Sequence, residues 1–190
     1  MITTIEDLVV RTEADYERLP DEGNWEVVNG RAVLLPPNDS EHQDFCLELT
    51  LQLRSQLKPT GVYVGQFVAV AIPRWPGEDA PIHKRVPDVV VARKSPTHSF
   101  REGNPPDLVV EVLATRRGNV ERTEKVDDYA HAGIAEYWIV NPIDRLVEVY
   151  RLQGSDYTLT STSSDVINLI AFPNVTIDFR TLWPVFKNTV

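Results

Sequence analysis

The segment 105–113, PPDLVVEVL, reads as a strand, and its neighbour in kind is 86–92, VPDVVVA. Runs this continuously apolar suit central strands covered on both faces of a sheet. Alternation puts Val109, Glu111 and Leu113 on one face of the first strand and Val110 and Val112 on the other. Glu111 therefore stands where an acid is costly unless something compensates it. Asp88 sits near the start of the second strand. Acids from two neighbouring strands repel in a low dielectric, and a divalent cation is the natural remedy. Asp107 competes for the role, but it lies four residues from Glu111, roughly 13 Å along an extended strand. That leaves Asp88 as the better partner for one metal. The alternative is that Asp88 caps the turn after Pro87 and Glu111 pairs with an arginine.

Outward from these strands the elements alternate. Upstream, Thr12 and Asp15 cap a short helix that ends at Pro20, and Asn29-Gly30 suits a two-residue hairpin turn inside WEVVNGRAVLL (25–35). Ser40 to Gln43 has capping-box spacing, and Cys46, Leu49, Leu53 and Leu57 recur at helical intervals, predicting an amphipathic helix over about 40–58. A strand is expected over about 62–72, followed by a loop or hairpin tip at RWPGEDAPIHKR (74–85). Downstream of Glu111, VERTEKVDDYAHAG (120–133) reads as a helix stopped by Gly133. EYWIVNP (136–142) and RLVEVYRL (145–152) are strands, with further strands at YTLT and near 175–179 and a short apolar end at 182–186. The pattern is an α/β (α+β) fold, a mixed β-sheet flanked by helices, with an added N-terminal hairpin and C-terminal strands.

The bulk properties narrow the function classes. With 190 residues the chain suits one domain with a real core. The expected division is a core at about 40–142, an N-terminal helix and hairpin at 12–36, and C-terminal strands with a short helix at 145–187. No apolar run is long enough to span a membrane. The opening MITTIEDLVV lacks a basic region and does not read as a signal peptide. Cys46 is the only cysteine, which excludes an internal disulfide or a cysteine-rich zinc site and fits a reducing, cytoplasmic setting. A net charge of −9 argues against a protein that coats polyanions over its whole surface. The nucleotide-binding glycine loops and the HExxH and GxSxG patterns are absent, and the histidines have no zinc spacing.

Other residues could join the two acids. Lys125 lies on the helix after the Glu111 strand, with Tyr129 one turn later on the same side. Its ammonium either stabilises charge developing on a phosphate or makes a plain surface pair with Glu121. Arg116, Arg117 and Arg122 either hold a phosphate backbone or decorate an exposed turn. Glu41 opens the long helix, either as an oxygen ligand or as an acid complementing the helix dipole. His42 borders that helix's apolar stripe, and Glu26 sits inside WEVV. Both are supporting candidates.

The segments DYERLPDEGNWEVVNGRAVLLPP (15–37), SEHQ (40–43), VPDVVVA, PPDLVVEVLA and EKVDDYAHAGIAEYWIVNP (124–142) together resemble the PD-(D/E)XK nuclease superfamily, and within it a bacterial restriction-endonuclease-like family of largely unassigned function. The likeness runs from about residue 12 to 186. It implies a restriction-endonuclease-like mixed sheet with Asp88 and Glu111 as metal ligands, and Glu41 as the acid supplied by the first core helix. It also implies hydrolysis of a DNA phosphodiester with Mg²⁺, or Mn²⁺ as a substitute. With it, the backbone carbonyl of Val112 becomes a further candidate ligand. The superfamily lysine expected two residues after the glutamate is replaced by Leu113, which points to Lys125 on the following helix. Ala114 and Thr115 stand where the family tends to have serine and proline. A homodimer is expected if both strands of a duplex are cut. The rival readings are a metal- or nucleic-acid-binding module that has lost cleavage, and a structural or interaction protein that keeps the fold.

Overall fold

A computed structural model describes residues 8–75, 77, 82–113 and 119–183, with the backbone alone over 119–124. In chain order, α1 (Glu13–Tyr16) leads to the hairpin β1 (Trp25–Val28) and β2 (Arg31–Leu34). Next come α2 (Ser40–Leu57), β3 (Tyr63–Gln66), β4 (Val70–Ala71), β5 (Lys84–Arg85), β6 (Val89–Ala92) and β7 (Leu108–Val112). α3 (Asn119–His131) precedes β8 (Glu136–Asn141), β9 (Leu146–Gln153), β10 (Asp156–Ser163), β11 (Val166–Asn168) and β12 (Thr176–Asp178).

The main sheet has the order β10-β9-β8-β7-β6-β3. It is mixed: β7 and β8 run parallel, and the other pairs are antiparallel. A parallel pair needs a long crossover, and the connection from β7 to β8 carries α3. β6 and β7 are buried at every position, as their unbroken apolar runs require. One face packs Val89, Val91, Val110 and Val112 against Phe45, Leu49, Leu53 and Leu57 of α2. The other packs Val90, Val109 and Ile139 with Tyr129 of α3 and with Ala132 just after it. Each such side chain contributes about 1.5–3 kcal/mol by leaving water, so α2 is held by its apolar stripe more than by helix propensity.

A second sheet, β2-β1-β5-β4, carries the N-terminal hairpin. Asn29 (φ 51°) and Gly30 (φ 74°) both take the left-handed conformation that a tight two-residue turn demands. The structure corrects three sequence expectations. The strand expected over about 62–72 is two strands, because Phe67 adopts φ 53° and turns the chain from the main sheet into the second one. The loop at 74–85 ends in β5, which pairs with both β4 and β1. The cap of α2 is Asp39, whose Oδ1 accepts from the His42 N–H at 2.8 Å, and Gln43 turns instead to the Asn38 carbonyl. In the expected apolar end at 182–186, residues from 184 onward lie outside the described residues. Among the described residues no helix is long and apolar enough to cross a membrane.

Candidate functional site

The register that pairs Val89 with Val110 places Asp88 opposite Glu111, one step further along. Both side chains are largely buried, at 8% and 9% residue exposure. Asp88 Oδ2 accepts from the Val112 N–H at 2.7 Å. His42, projecting from the first turn of α2, bridges the pair of strands. Its Nε2 lies 3.0 Å from the Val112 carbonyl and 3.3 Å from Asp88 Oδ2. Burial alone would lower the His42 pKa, but the bond to Asp88 and its charge outweigh that and raise it.

Glu111 is held from the α3 side. Tyr129 donates to Oε1 at 2.6 Å, and Lys125 Nζ sits 3.1 Å from both carboxylate oxygens. Burial pushes the Glu111 pKa up to about 7; Lys125 opposes this, while the charges of Asp88 and Glu26 add to it. For Lys125, burial works against the charged form, yet Glu111 and Glu26 more than offset it and the pKa rises.

Glu26 comes from the second sheet. Its Oε1 lies 3.2 Å from Lys125 Nζ, and its Oε2 accepts from Arg85 at 3.0 Å. The Val86 N–H donates to Oε1 at 3.2 Å. Arg85 also donates to Asp128 on α3 at 2.7 Å, and His83 Nε2 stands 3.1 Å from the same oxygen. This buried chain, Lys125–Glu26–Arg85–Asp128–His83, ties the second sheet to α3. It was not legible beforehand: Arg85 and His83 lay in a segment that reads as a loop tip, and Asp128 in what reads as a polar helix face.

Glu41 is exposed in the first turn of α2 and makes no hydrogen bond or ion pair to Asp88 or Glu111 in this arrangement. Arg116 and Arg117 lie outside the described residues, as do the side chains of Glu121 and Arg122. The alternative reading pairs Glu111 with an arginine; among the described residues its cationic partner is Lys125.

The cluster holds four carboxylates, Glu26, Asp88, Glu111 and Asp128, against two fixed cations, Lys125 and Arg85. The like charges of Asp88 and Glu26 add to the burial that raises the Glu111 pKa. Clustered carboxylate oxygens suit a hard divalent cation. Among the described residues, the group of three ligating side chains whose atoms approach within 4.8 Å is His42, Cys46 and Asp88. It is a poorer cage. The Cys46 sulfur lies 3.7 and 3.9 Å from the two ring nitrogens, and a soft sulfur donor is a poor match for a hard divalent cation. Burial also pushes the thiol pKa up, away from the thiolate a metal requires.

A family model described as "Uma2: Putative restriction endonuclease" matches residues 13–180. The fold is similar to that of a crystal structure described as a putative nuclease belonging to DUF820 from Anabaena variabilis ATCC 29413. The TM-score is 0.70 and the identity 19%, over 90% of this chain and 97% of that one. No curated protein matches.

Proposed function

The chain belongs to the Uma2 family, and from that premise we propose that it hydrolyses DNA phosphodiester bonds with a divalent metal, Mg²⁺ or Mn²⁺. The observation that carries this reading is the buried juxtaposition of Asp88 and Glu111 on paired strands, with Lys125 seated on Glu111. Asp88, Glu111 and the Val112 carbonyl would hold the cation. When bound, it supplies Lewis-acid stabilisation of the phosphoryl oxygens and acidifies the attacking water.

The remaining work falls to the chain itself. Lys125, anchored by Glu111 and Glu26, keeps its proton and offers a fixed positive charge to a phosphate as negative charge builds on it. Position matters here and strand of origin does not, so Lys125 on α3 does what Leu113 at the usual lysine position cannot. Tyr129 fixes the rotamer of Glu111. His42 fixes Asp88 and the Val112 carbonyl relative to each other. The low dielectric around these buried groups strengthens each of these interactions.

The test is cleavage of plasmid and single-stranded DNA with Mg²⁺ or Mn²⁺, paired with calorimetric metal titration. Asp88→Ala and Glu111→Ala are expected to reduce cleavage to background and to abolish metal binding. Unchanged cleavage in either variant would sink the assignment. Metal binding without turnover in the parent chain would instead identify a module that has lost cleavage.

A further inference from the structure

The register that pairs Val27 with Lys84 places Glu26 on β1 opposite Arg85 on β5. Arg85, Glu26 and Asp128 are all buried. The guanidinium divides its donors between two elements. Nε donates to Asp128 Oδ2 on α3 at 2.7 Å, and Nη1 donates to Glu26 Oε2 at 3.0 Å. The other oxygen of Glu26 serves the site. Oε1 accepts from the Val86 N–H at 3.2 Å and stands 3.2 Å from Lys125 Nζ. Arg85 is thus one carboxylate away from the ammonium that sits on Glu111.

Lys125 and Asp128 are three residues apart and share one face of α3. That face is held by charge at two points, Lys125 on Glu26 and Asp128 on Arg85, and the two anchors stand opposite each other on paired strands. Against the main sheet, Tyr129 of α3 packs among apolar side chains. Apolar contact is non-directional, so it tolerates a small slide or roll of a helix. Charge-assisted hydrogen bonds do not, because they weaken with distance and misalignment. A plain tie between α3 and the second sheet would need only the bond from Arg85 to Asp128. The other arm of the fork, to Glu26, sets the rotation of the carboxylate that Lys125 faces.

We propose that Arg85 is a positioning residue for the Lys125 ammonium. By bridging Asp128 and Glu26 it fixes α3 and the Glu26 carboxylate relative to each other, and through them the place of Lys125 against Glu111. The inference rests on the phosphodiesterase reading for what that ammonium does to a phosphate, whereas its placement belongs to the folded chain. Lysine cannot take over the role. The two bonds leave different nitrogens of one planar fork, and a single ammonium cannot reproduce their spread.

Two variants test this. Arg85→Lys keeps the charge of the buried cluster and removes the fork. Arg85→Met combined with Asp128→Asn removes one charge of each sign, and covers the case in which the first variant folds poorly. Each is treated with acetic anhydride beside the parent, and acetylation of Lys125 and Lys84 is followed by peptide mass spectrometry. Lys125 should react about 10-fold faster in both variants, because local opening no longer works against a fixed partner. Lys84, buried beside Arg85 in the chain and paired with Glu13, should react as in the parent. In Mg²⁺-dependent cleavage kcat should fall about 10²-fold, the order that a misplacement of about 1 Å costs, with KM and metal affinity within about 2-fold of the parent. Unchanged acetylation of Lys125 in either variant overturns the proposal. So does exposure of Lys125 and Lys84 together, which marks general loosening, or a kcat within a few-fold of an active parent. If the parent cuts no DNA, the hydrolytic reading fails and the acetylation pattern alone decides the role of Arg85.

Discussion

Glu111 and Glu136 are both buried glutamates in apolar strands that pair side by side, yet their surroundings are opposite. Glu136 accepts from the indole N–H of Trp138 at 2.7 Å and from the Ala171 N–H at 2.8 Å. Its neutral donors pin the 169–171 segment to β8, and burial raises its pKa. Glu111 shares its space with Asp88 and Glu26, whose charges add to the rise in pKa that burial drives and that Lys125 opposes. Burial of an acid thus does not by itself mark a site. What differs is whether the neighbours are dipoles aimed at the carboxylate or further charges of the same sign. Asp107, just before the strand that carries Glu111, supplies a third case. It pairs with the Arg93 guanidinium and backbone N–H near solvent, where water does part of the work.

The contrast can be broken at several points. Lys125→Met should lower kcat for DNA cleavage by about 10²–10³-fold, the usual cost of removing a preorganised group that stabilises transition-state charge. Initial rates at saturating metal would show it, and a rate within a few-fold of the parent would return Lys125 to a structural role. The metal-free protein should lose stability as pH rises from the ordinary carboxylate range to about 7. Glu111 has a raised pKa in the folded state, so the native chain binds the extra proton in that window and the unfolded chain does not. The loss is on the order of a few kcal/mol. Glu111→Gln should flatten it, which urea melts at a series of pH values would reveal.

Glu136→Gln should leave cleavage unchanged and cost about 1–3 kcal/mol of stability, because one amide oxygen cannot serve the donors that two carboxylate oxygens serve. If that variant lost activity with its stability intact, the division between the two glutamates would be wrong. Asp107→Asn has the smallest expected effect, below about 1 kcal/mol in the same melts, since its partner Arg93 is largely exposed.

Much of the framework was legible because it is written in local periodicity. The runs at 86–92 and 105–113 contain β6 and β7, the leucine spacing located α2, Gly133 marked the stop after α3, and Asn29-Gly30 marked a hairpin. The break at Phe67 was not legible, because nothing in an apolar run announces a left-handed residue. The same reasoning that singled out Glu111 would have singled out Glu136, and only the donors around each separate them. Glu26 stood inside WEVV as a weak candidate. Its contact with Lys125 spans the junction between two sheets, and no pattern along the chain encodes that.

The sequence by itself determined which segments become central strands, and hence that Asp88 and Glu111 sit in buried runs where an acid must be compensated. The reason is local: alternation and apolar continuity decide which side chains leave water. Tertiary structure alone decided how the charges are balanced. It brought Lys125 from α3 and Glu26 from the second sheet to Glu111, set His42 between Asp88 and the Val112 carbonyl, and left Glu41 in solvent. Electrostatic energy in a buried site sums over every charge within a few ångström, however distant in the chain, so it is fixed only when the fold is.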